Sequence, residues 1–575
     1  MIKLPNIFSN GMILAKKSRI WGNSDEKNIK ITFLDQEYTG TTDNDGNFSI
    51  DIETSVYGGP YELIINDKII KDVYVGRVYL CAGQSNMEQP LTRSIGLKKY
   101  IKPDIRIHAF QVEKGFKFGQ PLTDTNAKWN VATGSFLQEL FAVPYFFARK
   151  LLEHENTPIG LINVAAGGTP IEAWLPEEII ATFPDLQEKL DPFKDANYIK
   201  ELENQGNQNH QNWFSDLKFD SDSPFKKANL LDRVIDTPGV VVYRKTLPFI
   251  EGNIKLNLGR AADRITVFIN QIKVGEVGYQ YPPAIFNIPQ GVFQKDIENI
   301  IEIQLVGETQ PAHFIPGKKY QLSHSGGTIH VSQDWLYKIT HEKEPIIPST
   351  WFYNIPTCCY NYMLAPILGY GIDGILWYQG ESNTNTTANV SSRPDNYARL
   401  FELFVNHLRQ SFGNVPIVYT QLANFANPGN DMGMGWPVLR EQQRQCLQIE
   451  NTAMAVAIDC GEYNDLHPAD KKTVGQRLAL LILNKNNTGP EVSTCLLQDE
   501  TLTIAFDNAD GLWAKNGRPI LEIDEDRFAI ARIEKNKLVA QVGNASLVRF
   551  GWSDCPSVTL YNSKNLPASP FEIKL

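Results

Sequence analysis

Val78-Tyr79-Leu80-Cys81-Ala82-Gly83-Gln84-Ser85-Asn86-Met87 is the stretch on which the fold reading turns. From Val73 to Ala82 the residues are mostly apolar, the pattern of a strand covered on both faces. Gly83-Gln84-Ser85 then breaks the run, and a sharp turn into a helix is expected. A serine at such a turn holds its hydroxyl at the C-terminal edge of a sheet, where open α/β folds carry their chemistry. Its backbone N–H, close to a helix start, suits the stabilisation of an oxyanion. Gly-x-Ser after a strand also occurs as a plain helix N-cap, so a catalytic reading needs partners elsewhere in the chain.

Outward from this strand, long apolar runs alternate with helical stretches. A helix is expected near Leu140 to His154, with Pro144 kinking or delaying it. A second buried strand, Ile159 to Ala165, follows. The same pattern resumes at Ile375-Leu376-Trp377-Tyr378, Ile417-Val418-Tyr419 and Met454 to Ile458. Helices are expected at Tyr397–Gln410, Pro437–Leu447 and Pro468–Asn484. This alternation predicts a parallel sheet flanked by helices, an α/β domain.

Three regions lack that rhythm. Residues 1–75 read as short alternating strands, such as Ile29–Phe33 and Phe48–Ile52, punctuated by Asp45-Gly46 and Gly58-Gly59-Pro60. The expectation is an N-terminal β-sandwich over 1–75 and an α/β domain over 76–215 and 341–489. An inserted, jelly-roll-like β-sandwich is expected over 216–340, and a C-terminal β domain over 490–575. At 575 residues several cores are required.

The formal net charge of −10 is spread along the chain without a basic block, so no nucleic-acid partner is expected. No apolar run reaches the roughly 18 residues of a membrane helix, so no membrane span is expected. The seven cysteines are scattered without C-x-x-C spacing, which argues for buried free thiols and against a disulfide framework or zinc site. No metal and no cofactor is expected. Met1–Pro5 lacks an apolar signal core. The expectation is a secreted or periplasmic protein whose leader is absent from this sequence, with a cytoplasmic location as the alternative.

Three further stretches follow strands of the α/β pattern. Ala166-Gly167-Gly168-Thr169-Pro170-Ile171-Glu172 has paired glycines that let backbone N–H groups approach a ligand. Gln379-Gly380-Glu381-Ser382-Asn383 offers amide donors and an orienting acid. Asn464-Asp465-Leu466-His467-Pro468 combines a histidine with a nearby acid, and Pro468 is expected at the first position of the last helix. A hydroxyl nucleophile needs a base, an orienting acid and oxyanion donors. All four are available at strand ends of one sheet, and the chemistry they suggest is acyl transfer to water.

Gly83–Met87, Gly167–Trp174, Tyr378–Asn383 and Asp465–Pro468 resemble, in order, the blocks of the sialate O-acetylesterase family, a branch of the SGNH-type hydrolases. Phe8–Leu14 and Leu566–Phe571 also resemble its members. The resemblance implies a flavodoxin-like SGNH hydrolase sheet with helices on both faces. It implies Ser85 as nucleophile and His467 as general base. Gly168 or Gly167 and Gln379 are implied as oxyanion donors beside the Ser85 N–H. Many SGNH hydrolases carry Asp three residues before the histidine, but that position here is Asn464. Asp465 is taken as the third member, and a Ser-His pair oriented by another group stays open. The expected substrate is an O-acetylated carbohydrate, a sialic acid first and an acetylated xylan or pectin next. The rival of another class is a sugar-binding protein without catalysis. Oligomeric state is not legible.

Overall fold

Seven strands form the sheet that carries Ser85: β1 (Arg77–Gly83), β2 (Asp104–Gln111), β3 (Trp129–Ala132), β4 (Ile159–Ala165), β5 (Gly374–Tyr378), β6 (Ile417–Gln421) and β7 (Thr452–Val456). In the computed structural model, which describes residues 1–94, 97–279, 282–426, 435–515 and 517–575, their order is β3-β2-β4-β1-β5-β6-β7. Every neighbouring pair is parallel except β3 with β2. Setting aside the edge pair β2 and β3, the remaining order is flavodoxin-like, and its switch point lies between β1 and β5. Every residue of β4, β5 and β6 is buried, which is why these strands read as unbroken apolar runs.

Five helices matter for the site: α1 (Ser85–Glu88), α2 (Ala142–Leu151), α3 (Tyr397–Phe412), α4 (Gly435–Gln445) and α5 (Lys471–Leu483). One sheet face packs Tyr79, Leu161, Leu376 and Val418 in a core shared with Phe147 of α2 and Leu478 of α5. The opposite face presents Trp377 and Tyr419, whose rings lie 4.5 and 5.0 Å from Phe404 and Phe401 of α3. Helices therefore cover both faces.

Helices α2 and α5 start away from the sequence expectation for identifiable reasons. Helix α2 begins at Ala142, so Pro144 falls in the first turn, where its missing N–H leaves no intrahelical bond unmade. Helix α5 begins at Lys471, not Pro468, because Asp470 caps it by accepting from the Thr473 N–H at 3.1 Å. His467 therefore sits in the loop before the helix and not at its mouth.

The chain divides into two compact units, one of residues 1–194 and 352–426 with the described residues from 435 on, the other of residues 195–351. The sequence-based division at 215 falls instead at the end of a helix, Ala196–Ser215. Its Trp213 packs with Val240, Val242 and Val306, which ties the helix to the second unit. That unit has a six-stranded and a four-stranded sheet around Tyr243, Leu256, Leu305 and Trp335. In the first unit, a five-stranded and a two-stranded sheet precede β1, and two four-stranded sheets follow α5 around Leu502, Leu521, Leu538 and Phe571. The seven cysteines are free thiols, five of them buried. No helix among the described residues is long and apolar enough to cross a membrane.

Candidate active site

Gly83 is what allows β1 to end where it does. Its φ is +143°, and a Cβ there would stand 2.1 Å from the Tyr378 carbonyl oxygen at the end of β5. The same carbonyl accepts from the Gln84 N–H at 3.0 Å. This close approach starts α1 at Ser85, over the switch point of the sheet. From the loop between β7 and α5, His467 reaches back so that its Nε2 lies 2.8 Å from Ser85 Oγ. With the ring proton on Nδ1, the serine hydroxyl donates to Nε2. Both residues are half-buried, so neither is sealed from solvent. Two residues 382 positions apart are thus brought into nucleophile-to-base contact.

Asp465 joins them through the loop. Its Oδ1 accepts from the His467 backbone N–H at 3.0 Å, an Asx turn that fixes how the histidine leaves the chain. Gly167 and Gly168 follow β4, and Gly167 abuts the serine. A Cβ on Gly167 would lie 3.1 Å from Ser85 Cβ, and its N–H donates to Glu88 Oε2 at 2.5 Å. Gly168 has a φ of +75°, a left-handed turn that favours glycine.

Gln379 differs from the expectation of an oxyanion donor. It is fully buried, and its Nε2 lies 3.2 Å from Gln84 Oε1, 3.1 Å from the Thr169 carbonyl and 2.8 Å from Asn383 Oδ1. Its Oε1 accepts from Tyr397 OH at 3.0 Å. An amide with two hydrogens facing three acceptors braces the turns after β4 and β5 against each other. Gln84 does the same work from β1, its Oε1 accepting from the Gly380 and Ser382 N–H groups at 3.3 Å each. Asn383 completes the brace, donating to Glu172 Oε2 at 2.9 Å and accepting from the Ile171 N–H at 2.9 Å.

Sequence reasoning passed over Asn86 and Lys471. Asn86 Nδ2 donates to Glu381 Oε1 and, at 3.1 Å, to the Leu466 carbonyl, while Lys471 Nζ donates to Asn86 Oδ1 at 2.5 Å. All three side chains are buried. Burial raises the Glu381 carboxyl above its usual range, partly offset by the Asn86 bond and the Lys471 charge. Burial likewise lowers Lys471 to about 8 against the opposing pull of Glu381 and Asp465. Nothing in the sequence separates Lys471 from Lys472, which share the first turn of a helix where lysine is ordinarily solvated. Among the described residues, no group of three or more His, Cys, Asp or Glu side chains is gathered as metal ligands.

A family model described as carbohydrate esterase, sialic acid-specific acetylesterase, matches residues 75–203 and 350–484. These are the segments that build the sheet and the site. The chain is 25% identical over 261 residues to the sialate O-acetylesterase of Rattus norvegicus, covering 38% of this chain and 47% of the relative. It is 24% identical over 200 residues to that of Homo sapiens, covering 30% and 38%. The matches thus span less than half the length of these curated relatives. Among solved structures, a carbohydrate acetylesterase from Xanthomonas citri matches over 100% of both chains, with a TM-score of 0.66 at 21% identity. That likeness is one of fold.

Proposed function

We propose that the chain is a serine esterase removing O-acetyl groups from carbohydrate, a reading that the match of its α/β domain to the carbohydrate esterase, sialic acid-specific acetylesterase family supports. The observation that carries the proposal is the 2.8 Å contact between Ser85 Oγ and His467 Nε2 at the switch point of the sheet. In the proposed reaction neutral His467 takes the Ser85 proton as Oγ attacks the acetyl carbonyl carbon. The carbonyl oxygen becomes an oxyanion, held by the backbone N–H groups of Ser85 and Gly168. Collapse breaks the bond to the sugar oxygen, which leaves with the proton from His467. Water, deprotonated by His467, then attacks the acetyl-serine and releases acetate and free Ser85. Gln379, Gln84 and Asn383 hold the three turns in register and do not touch the acetyl group. Asp465 is assigned the orientation of His467, which its turn to the histidine N–H supports.

A sialic acid acetyl ester is the proposed substrate. The description of the matching family and the names of the rat and human relatives support it. Acetate release from O-acetylated sialic acids and from acetyl-xylan tests both levels. Release from neither, with a folded protein, overturns the esterase proposal. Release from acetyl-xylan alone overturns the sialic acid assignment. In Ser85→Ala and in His467→Ala, kcat is expected to fall by about 10³-fold or more, and the double variant should lose little beyond either single one.

A further inference from the structure

A single carboxamide ties the residue after the serine to the residue before the histidine. Asn86 follows Ser85, and its Nδ2 reaches the carbonyl of Leu466, which precedes His467. The same Nδ2 donates to Glu381, from the turn after β5, and Asn86 Oδ1 accepts from Lys471 at the start of α5. Three segments around residues 86, 381 and 466–471 therefore converge on one side chain. A buried amide bonded on both sides, between an acid and a cation, cannot rotate without leaving charges unpaired.

We infer that Asn86 and Lys471 are positioning residues, which clamp the His467 loop onto the helix of Ser85 and so set the distance between the two reacting side chains. This rests on the esterase reading above and adds to it the part that holds the geometry. Lys471 is the member that makes the clamp possible. The buried Glu381 accepts from Asn86, and its Oε2 has no hydrogen-bonding partner among the described residues. The Lys471 ammonium supplies the compensating charge. Around that ammonium stand Asn86 of α1, Glu381, Asp465 and Asp470 of the histidine loop, Cys460 and the Tyr378 ring, 5.9 Å away. When Lys471 loses its proton, Glu381 loses that charge and the Asn86 bond to Leu466 loosens. With Lys471 lowered to about 8 by burial, the loosening falls within the range where an esterase can be assayed.

The experiment measures two things in the full chain: kcat and KM on p-nitrophenyl acetate between about pH 6 and 10, and the rate at which a fluorophosphonate probe labels Ser85, read by intact mass. In the wild type, kcat should decline through an apparent pKa near 8 while KM stays steady. Lys471→Met should lower kcat and the labelling rate together by about 10- to 100-fold, and its alkaline decline should disappear. Lys471→Arg should keep most of the activity and move the decline to higher pH, since guanidinium holds its proton. Asn86→Ala should reproduce the loss seen in Lys471→Met, which keeps the inference testable if the lysine variant does not fold. A flat wild-type profile above pH 7, or labelling of Lys471→Met and Asn86→Ala at the wild-type rate, overturns the clamp. A wild type that neither labels nor turns over overturns the esterase reading itself, a separate result.

Discussion

Gly167→Ala isolates the placement of the serine from the stability of the fold. An added Cβ would stand 3.1 Å from Ser85 Cβ and 3.1 Å from Glu88 Oε2, with Ser85 Cα next at 3.6 Å. Carbon atoms in contact settle at about 3.5–4.0 Å, so something must move by roughly half an ångström. The nearest backbone atom is already at ordinary contact distance, and no left-handed φ occurs at this glycine. The chain itself therefore accepts alanine. What yields is the Ser85 side chain and the Glu88 carboxylate that accepts from the Gly167 N–H. A misplacement of about 1 Å costs near 10²-fold in rate, so half of that should lower kcat by about 10-fold. The urea midpoint should move by less than the equivalent of about 1 kcal/mol. Steady-state kinetics on p-nitrophenyl acetate, run beside urea unfolding, decide it. A kcat within twofold of wild type would refute the reasoning that Gly167 abuts a nucleophile. A collapsed midpoint with kcat preserved in the remaining folded protein would show the glycine to be a folding requirement instead.

Gly83→Ala should behave in the opposite way, because its Cβ would meet the Tyr378 backbone oxygen at 2.1 Å at a φ of +143°. Loss of about 4 kcal/mol or more, or failure to fold, is expected on thermal unfolding. Gln379→Ala should cost about 3 kcal/mol, since it strips a fully buried brace from the Thr169 carbonyl, Asn383 and Tyr397. A large loss of kcat at unchanged stability would instead make Gln379 an oxyanion donor. Asp465→Asn keeps an oxygen for the His467 N–H and removes only the charge, and kcat/KM should fall about 10²-fold while Asn464→Ala stays milder. The reverse ranking in the same assay would take the orienting role away from Asp465.

Five of the sheet's seven strands, and the two stretches that carry Ser85 and His467, were legible because each rests on a local signal. Apolar runs mark buried strands, and a glycine beside a polar residue marks the turn where a strand hands over to a helix. The contact between Ser85 and His467 is not local, but the two stretches follow strands of one parallel sheet, so topology alone brings their ends to the same edge. Strands β2 and β3 were missed, since Asp104-Ile105-Arg106-Ile107-His108 of β2 interleaves charges that propensity does not favour, and β3 at the edge is only four residues long. The start of α5 was misread because Pro468 is the louder signal, while Asp470 with its bond to Thr473 makes the cap. The bracing contacts of Gln379 and the burial of Lys471 were not legible, for a different reason. No local pattern marks a glutamine or lysine as buried, and only the packing of three distant turns shows that here both are.

The neighbours of β1 also have a consequence for how the protein is made. Strand β4 pairs with it along one edge and β5 along the other. Between the end of β1 and the start of β5 lie about 290 residues, including the whole of the second unit. At ribosomal speeds of about 5–20 residues per second, the nascent chain holds β1 with an open, apolar edge for roughly 15–60 s. The second unit carries its own core and can fold in that interval, while the half-built sheet waits for its centre. That waiting edge is the point at which a chaperone would engage the emerging chain, or at which two nascent chains would stick to one another.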